Sequence, residues 1–386
     1  MAILRRLLNF DLPTGQSAFL WGPRKTGKTT FLKEKFPNSV FFDFLKTDLA
    51  FELAKRPALL RERLLARDLS LLSGPVVLDE VQKVPGVLDE VQWLIENKKL
   101  TFVMCGSSAR KLKRGRANLL GGRAWRYEMF PLVSKEIGEL DLVRALDHGL
   151  VPDHYFSTNP QRALSAYVQD YLKEEVFAEG LTRNVPAFAR FFDAIGFSHG
   201  EIINFSNIAR DAGVDAKTVR EYFQILVDTL LGRWVEPFAK RPSRQIITRA
   251  PKFYLFDVGV ANAVAKRRVL DERGETFGRA FEHFIFQEIA AHASYSGIKY
   301  AVRFWRTKSG QEVDFILGDG EVAIEVKGAS RLDPRELRPL VAFQQEYRPK
   351  RACFVSNERE ARVVDSIRIY PWREFLEDLW AGQIIA

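Results

Sequence analysis

Three groups of side chains in this 386-residue sequence have types and spacings suited to chemistry. The first lies in SAFLWGPRKTGKTTFLKEKF, where Gly22-Pro23-Arg24-Lys25-Thr26-Gly27-Lys28-Thr29-Thr30 joins an apolar run to a helix-forming one. It fits G-x-x-x-x-G-K-[ST]. Glycines let successive backbone N–H groups turn onto phosphate oxygens, and the positive end of the following helix adds to the attraction. Lys28 then reaches the β- and γ-phosphates, and Thr29 offers a hydroxyl to Mg2+. About fifty residues on, GPVVLDEVQKV ends its apolar run at Asp79-Glu80. Asp79 suits the Mg2+ shell, and Glu80 suits a base that orients and deprotonates water. A third run, LTFVMCGSS, ends at Ser107-Ser108, where the Ser107 hydroxyl can sense a γ-phosphate.

The second group lies in EVDFILGDGEVAIEVKG. With Asp319-Gly320 as the turn of a hairpin, Asp314 faces Glu325 and Glu312 faces Lys327. Val313, Phe315, Leu317, Val322, Ile324 and Val326 then share the core face. Facing carboxylates repel across a ladder. A bound cation would reconcile them. Asp314 and Glu325 would hold Mg2+, and Lys327 would position a nucleophile for phosphodiester cleavage. The alternative is a solvated polar face in which Glu312 and Lys327 form a cross-strand ion pair.

The third group is basic. In NFSNIARDAGVDAKTVREYFQILVDTLL a short helix breaks at Ala212-Gly213, and Asp215 can cap a second helix from Ala216. That spacing suits a helix-turn-helix with Lys217, Thr218 and Arg220 at the exposed start of the second helix. The following GRWVEPFAKRPSRQIITRAPKFYLF suits the hairpin of a winged helix, and Lys240, Arg241 and Arg244 there can meet DNA phosphates. The other reading is a winged helix used only for packing or oligomer contacts. The run RKLKRGRANLLGGRAWR carries Arg116 and Arg123 without an acid. Most such residues belong to a solvated face, but in a ring of subunits one arginine would reach a neighbour's γ-phosphate, with Arg123 the first candidate and Arg116 the second.

The elements that must position these groups follow from alternating strand and helix patterns. The fold expected is α/β, with a parallel sheet carrying the first site at its carboxyl edge. Residues 1–150 would form the nucleotide domain, 151–275 a helical and winged-helix domain, and 276–386 a mixed α/β domain. A net charge of +9 favours an anionic partner. Cys105 and Cys353 each sit inside an apolar run and read as core thiols of a reducing cytoplasm. MAILRRLLNF has too short an apolar run for a signal peptide, and no segment approaches a membrane span.

GPRKTGKT, VVLDEVQ and GSSARKL followed by LLGGRAWRYEMFPLVSKEI resemble the prokaryotic AAA+ ATPases whose C-terminal region is a domain of unknown function. TVREYFQILVDTLL and APKFYLFDVGVANAV extend that resemblance over nearly the whole chain. It implies ATP and Mg2+ as cofactors, a hexameric ring and ATP-driven motion. Asp314-x10-Glu325-x-Lys327, after Glu282 and before Gln344, resembles the restriction-endonuclease-like PD-(D/E)XK superfamily, although no proline precedes Asp314. The function expected is an ATP-hydrolysing, hexameric protein that binds DNA through a winged helix and a nuclease-like domain. The alternatives are a Mg2+-dependent DNA nuclease with an ATPase loader and a nucleotide-dependent switch acting on a protein partner.

Overall fold

The computed structural model describes residues 4–68, 74–108, 120–172, 184–239 and 250–386. Two compact units result, Leu8–Phe130 with Asp228–Leu231, and Met1–Leu7 with Pro131–Val227 and Gly232–Ala386.

In the first unit, apolar runs form β1 (Ser17–Trp21), β2 (Phe41–Asp43), β3 (Val76–Asp79), β4 (Phe102–Gly106) and β5 (Ala124–Glu128). They make one parallel sheet in the order β2-β3-β4-β1-β5. Every residue of β1, β3 and β4 is buried, and apart from Ser17 and Asp79 at strand ends these strands are accordingly apolar rather than alternating. Phe19, Leu78 and Met104 pack with Leu60, Val91 and Leu94 of the covering helices. The chain leaves β1 for β2 at the far side and returns through β3 to β4. This change of direction opens a crevice at the carboxyl ends of the strands, where α/β sheets take their ligands.

The second unit opens its helix pair with Phe205–Ala212, capped by Asn204, whose side chain accepts from the Asn207 N–H. Gly213, at φ 66°, turns the chain into the helix Ala216–Asp228. Phe188 and Phe191 of Val185–Ser198 pack on Tyr222 and Phe223 behind that pair. An antiparallel pair follows, β6 (Gly232–Pro237) with β7 (Lys252–Leu255). These strands do not end in a separate module. Glu236 and Pro237 pair with Arg303 and Phe304 of β8 (Val302–Arg306), so one sheet runs across the boundary expected at 275.

That sheet continues through β9 (Glu312–Leu317), β10 (Val322–Lys327), β11 (Arg351–Ser356), β12 (Arg362–Val364) and β13 (Ile367–Pro371). Its order is β12-β13-β11-β10-β9-β8-β6-β7. The 22-residue helix Gly274–Tyr295 lays Phe277, Phe281 and Phe284 on one face, against Phe315, Ile324 and Val355. Leu340 and Phe343 of the helix Arg338–Tyr347 cover Ile316, Ala323 and Phe354 on the other. Among the described residues no helix is long and apolar enough to cross a membrane.

Candidate functional site

At the end of β1 the chain turns through Gly22–Gly27 into the helix Lys28–Lys35. Gly27 has φ 92°, a conformation any side chain would strain. The Thr26 hydroxyl donates to the Pro23 carbonyl at 2.8 Å and ties the loop across its base. Lys28 is buried, with Nζ 2.7 Å from the Gly22 carbonyl and 2.9 Å from that of Pro23. Arg24 is half-buried, while Lys25 and Thr30 are exposed. The Thr29 hydroxyl donates to Asp79 Oδ2 at 2.6 Å, joining the helix start to the tip of β3. These are hard oxygen donors of the sort Mg2+ takes, so the pair fits that ion.

Glu80, just past β3, adopts φ 56° and is buried. Its burial raises the carboxyl pKa, against the lowering influence of Lys28 and Arg24. A raised pKa makes a carboxylate a stronger base, as a general base requires. Two neighbours escaped sequence reasoning. Gln82 Nε2 donates to Glu80 Oε2 and, at 3.1 Å, to the Ser107 hydroxyl, so it links the ends of β3 and β4. Its Oε1 lies over Gly106, where an added Cβ would approach to 2.0 Å. The sequence shows only a glutamine two residues beyond Glu80, with nothing to mark it as buried. Cys105, read as a core thiol, is buried and also donates to Asp79 Oδ1 at 2.7 Å. Burial and Asp79 push its pKa up, which keeps it a thiol. Arg123 pairs with Glu96 at 2.8 Å and is 41% exposed, while Arg116 lies outside the described residues.

In the second unit the hairpin register is as expected at its closed end, with Leu317, Ile316 and Phe315 opposite Val322, Ala323 and Ile324. Beyond it the ladder changes. Arg303 pairs with Ile316 but Trp305 with Val313, so Asp314 and Phe315 together face Phe304. This bulge turns Val313 onto the opposite face from Phe315, with Trp305 and Phe343, correcting its expected place. It also bends Asp314 towards β10, where its Oδ2 accepts from the Val326 N–H at 2.8 Å. The Glu312–Lys327 ion pair of the alternative reading is not formed. Glu312 bonds Lys252 at 2.6 Å and Arg306 at 3.0 Å, whereas Lys327 bonds Glu325 at 2.5 Å and lies 3.7 Å from Asp314.

Glu282 joins the cluster by accepting from the Tyr254 hydroxyl at 2.5 Å, with Lys252 Nζ 3.6 Å away. Burial raises the pKa of Glu282, and burial together with Asp314 raises that of Glu325. Burial alone would lower Lys252 and Lys327, but the surrounding carboxylates outweigh it and hold both raised. Gln344 bonds the Ser366 hydroxyl instead of joining the group.

Of the basic residues, Lys217 is exposed, Arg220 is exposed with its guanidinium 4.4 Å from the centre of the Phe205 ring, and Thr218 is committed to capping. Asp215 accepts from the Lys217 and Thr218 N–H groups and from the Thr218 hydroxyl. Lys240, Arg241 and Arg244 lie outside the described residues.

The loop, the Thr29–Asp79 bond and the parallel strand order agree with one comparison. Residues 14–138 match an AAA domain. This AAA domain makes the N-terminal unit a P-loop NTPase fold. Residues 140–271 match a domain of unknown function (DUF8612), and residues 277–375 match another (DUF4143). Uncharacterized proteins of Mycobacterium bovis and Mycobacterium tuberculosis are each 28% identical to this chain over 305 residues. The alignments cover 76% of this chain and 66% of either relative, so the chain spans just under two thirds of the length of the curated relatives it matches.

Proposed function

We propose that this chain is an ATP-hydrolysing AAA+ protein of the cytoplasm that assembles as a hexamer and acts on DNA. The Thr29 hydroxyl bonded to Asp79, beside buried Lys28 and Glu80, supports this reading most directly. Lys28 would leave the loop carbonyls for the β- and γ-phosphates, and the loop N–H groups would hold the remaining oxygens. Thr29 and Asp79 are the residues to hold Mg2+, which when bound neutralises charge on the transferring phosphoryl group. Glu80, oriented by Gln82, takes the proton of the attacking water, and Ser107 shares the same amide. Arg123 is the candidate to reach a neighbouring subunit.

The helix pair 205–228 and the β6–β7 pair are proposed as a winged helix that meets DNA phosphates through Lys217, Arg220 and the basic hairpin residues. The C-terminal sheet would supply a nuclease-like platform beside it. ATP turnover measured with Mg2+, alone and with duplex or single-stranded DNA, tests the proposal. DNA should stimulate turnover, and the stimulation should weaken as salt rises. A chain that turns over ATP equally with and without DNA at low salt would leave the regulatory switch on a protein partner as the better account.

A further inference from the structure

The C-terminal carboxylates draw their cation from the chain itself. We infer that Lys252 Nζ is the resident cation of the cluster formed by Glu282, Glu312 and Asp314. While it is in place the site takes no divalent metal and cuts no phosphodiester. This holds whether or not the chain binds DNA.

Lys252 is only 3% exposed, and its Nζ lies 2.6 Å from Glu312, 3.6 Å from Glu282 and 3.9 Å from Asp314. Its backbone is fixed from two sides, pairing with Val235 of β6 and bridging Ile202, and its ammonium rests 5.5 Å from the centre of the Phe304 ring. The lysine therefore belongs to the sheet as firmly as the acids do. An octahedral Mg2+ would need several oxygen ligands at about 2.0–2.1 Å. Both oxygens of Glu312 and one each of Asp314 and Glu282 are engaged. Asp314 Oδ2 accepts from Val326 N–H, Glu312 divides between Lys252 and Arg306, and Glu282 Oε1 takes the Tyr254 hydroxyl. Glu325 Oε2 is a buried oxygen without a hydrogen-bond partner among the described residues, but one oxygen does not make a divalent site. Among the described residues no three His, Cys, Asp or Glu side chains group as metal ligands. A metal entering the cluster would have to displace a buried ammonium and leave it unpaired, which is strongly unfavourable.

Mn2+ binding to the nucleotide-free full chain, followed by electron paramagnetic resonance, tests the assignment. Wild type and Asp314→Asn should bind the same number of ions. Lys252→Met should gain one site per chain, and Lys252→Met with Asp314→Asn should lose it again. A wild-type Mn2+ site abolished by Asp314→Asn would overturn the inference, and so would wild-type cleavage of DNA that depends on Asp314. A folded Lys252→Met chain that gains no site would overturn it as well. Should Lys252→Met fail to fold, wild type against Asp314→Asn decides alone.

Discussion

Gln82 joins Glu80 to Ser107, donating from one amide nitrogen to the acid past β3 and to the hydroxyl past β4. The amide is buried, so it restricts where the Glu80 carboxylate can point. In Gln82→Ala the carboxylate loses its tether, while Lys28, Thr29 and the loop N–H groups are untouched. Turnover should fall about 10-fold with KM for ATP nearly unchanged, the pattern of a group that acts after binding. Gly106→Ala should reproduce this, because the new Cβ would displace the Gln82 amide. Steady-state kinetics of both variants check it, and a rise in KM at constant kcat would count against the positioning role.

Glu80→Gln keeps the shape of the side chain and removes the proposed base. General-base contributions are typically about 10²–10⁴-fold, so kcat should drop by that order while nucleotide binding persists. A fluorescent nucleotide titration beside the hydrolysis assay separates the two effects. Loss of binding would mean that Glu80 organises the loop instead.

Reversing the charges of Lys217 and Arg220 to Glu tests the helix start. If these residues meet phosphates, DNA affinity falls evenly across sequences and the dependence of log K on log salt becomes shallower by about two charges. Anisotropy titrations at several salt concentrations provide the slope. An unchanged slope would make the helix pair a packing module.

Glu288 offers a pH test away from both sites. It is fully buried, accepts from the Ser134 N–H and hydroxyl and from the Trp380 N–H, and burial outweighs those donors to raise its pKa to about 7. Below the ordinary carboxyl range both folded and unfolded chains hold the proton. Between about 4.5 and 7 the unfolded chain releases it while the folded chain keeps it, so stability declines as pH rises through that window and levels off above it. The decline attributable to Glu288 is roughly 3 kcal/mol. Glu288→Gln should flatten the fall in Tm over that range, and an identical Tm profile would show that Glu288 stays ionised when folded.

The parts most legible in the sequence were those encoded by neighbours. Gly22 to Thr29 and Asp79-Glu80 mark a strand-to-helix turn and a strand end through spacing alone. The hairpin register was also legible up to Phe315 and Ile324, because Asp319-Gly320 fixes it locally. What failed depended on a third strand. The bulge at Asp314-Phe315 is set by β8, and it ended the expected facing of Glu312 and Lys327 and turned Val313 over. Lys252 could not be read as part of the acid cluster because its partners are distant in sequence. The residues of β7 show only a basic residue opening an apolar strand. Gln82 was hidden differently, since its short helical turn after Glu80 gives no periodic signal.

The pairing of Glu236 and Pro237 with Arg303 and Phe304 bears on how this chain can be divided. A fragment starting at 276 would strip β8 of that partner and expose a row of unsatisfied N–H and C=O groups. Such an open strand recruits other chains. It would also remove Lys252 from Glu282, Glu312 and Asp314, leaving only Arg306 beside Glu312 and Lys327 near Asp314 to balance the acids. The C-terminal segment expressed alone should therefore be poorly soluble, and adding back the residues from 232 onward should cure it.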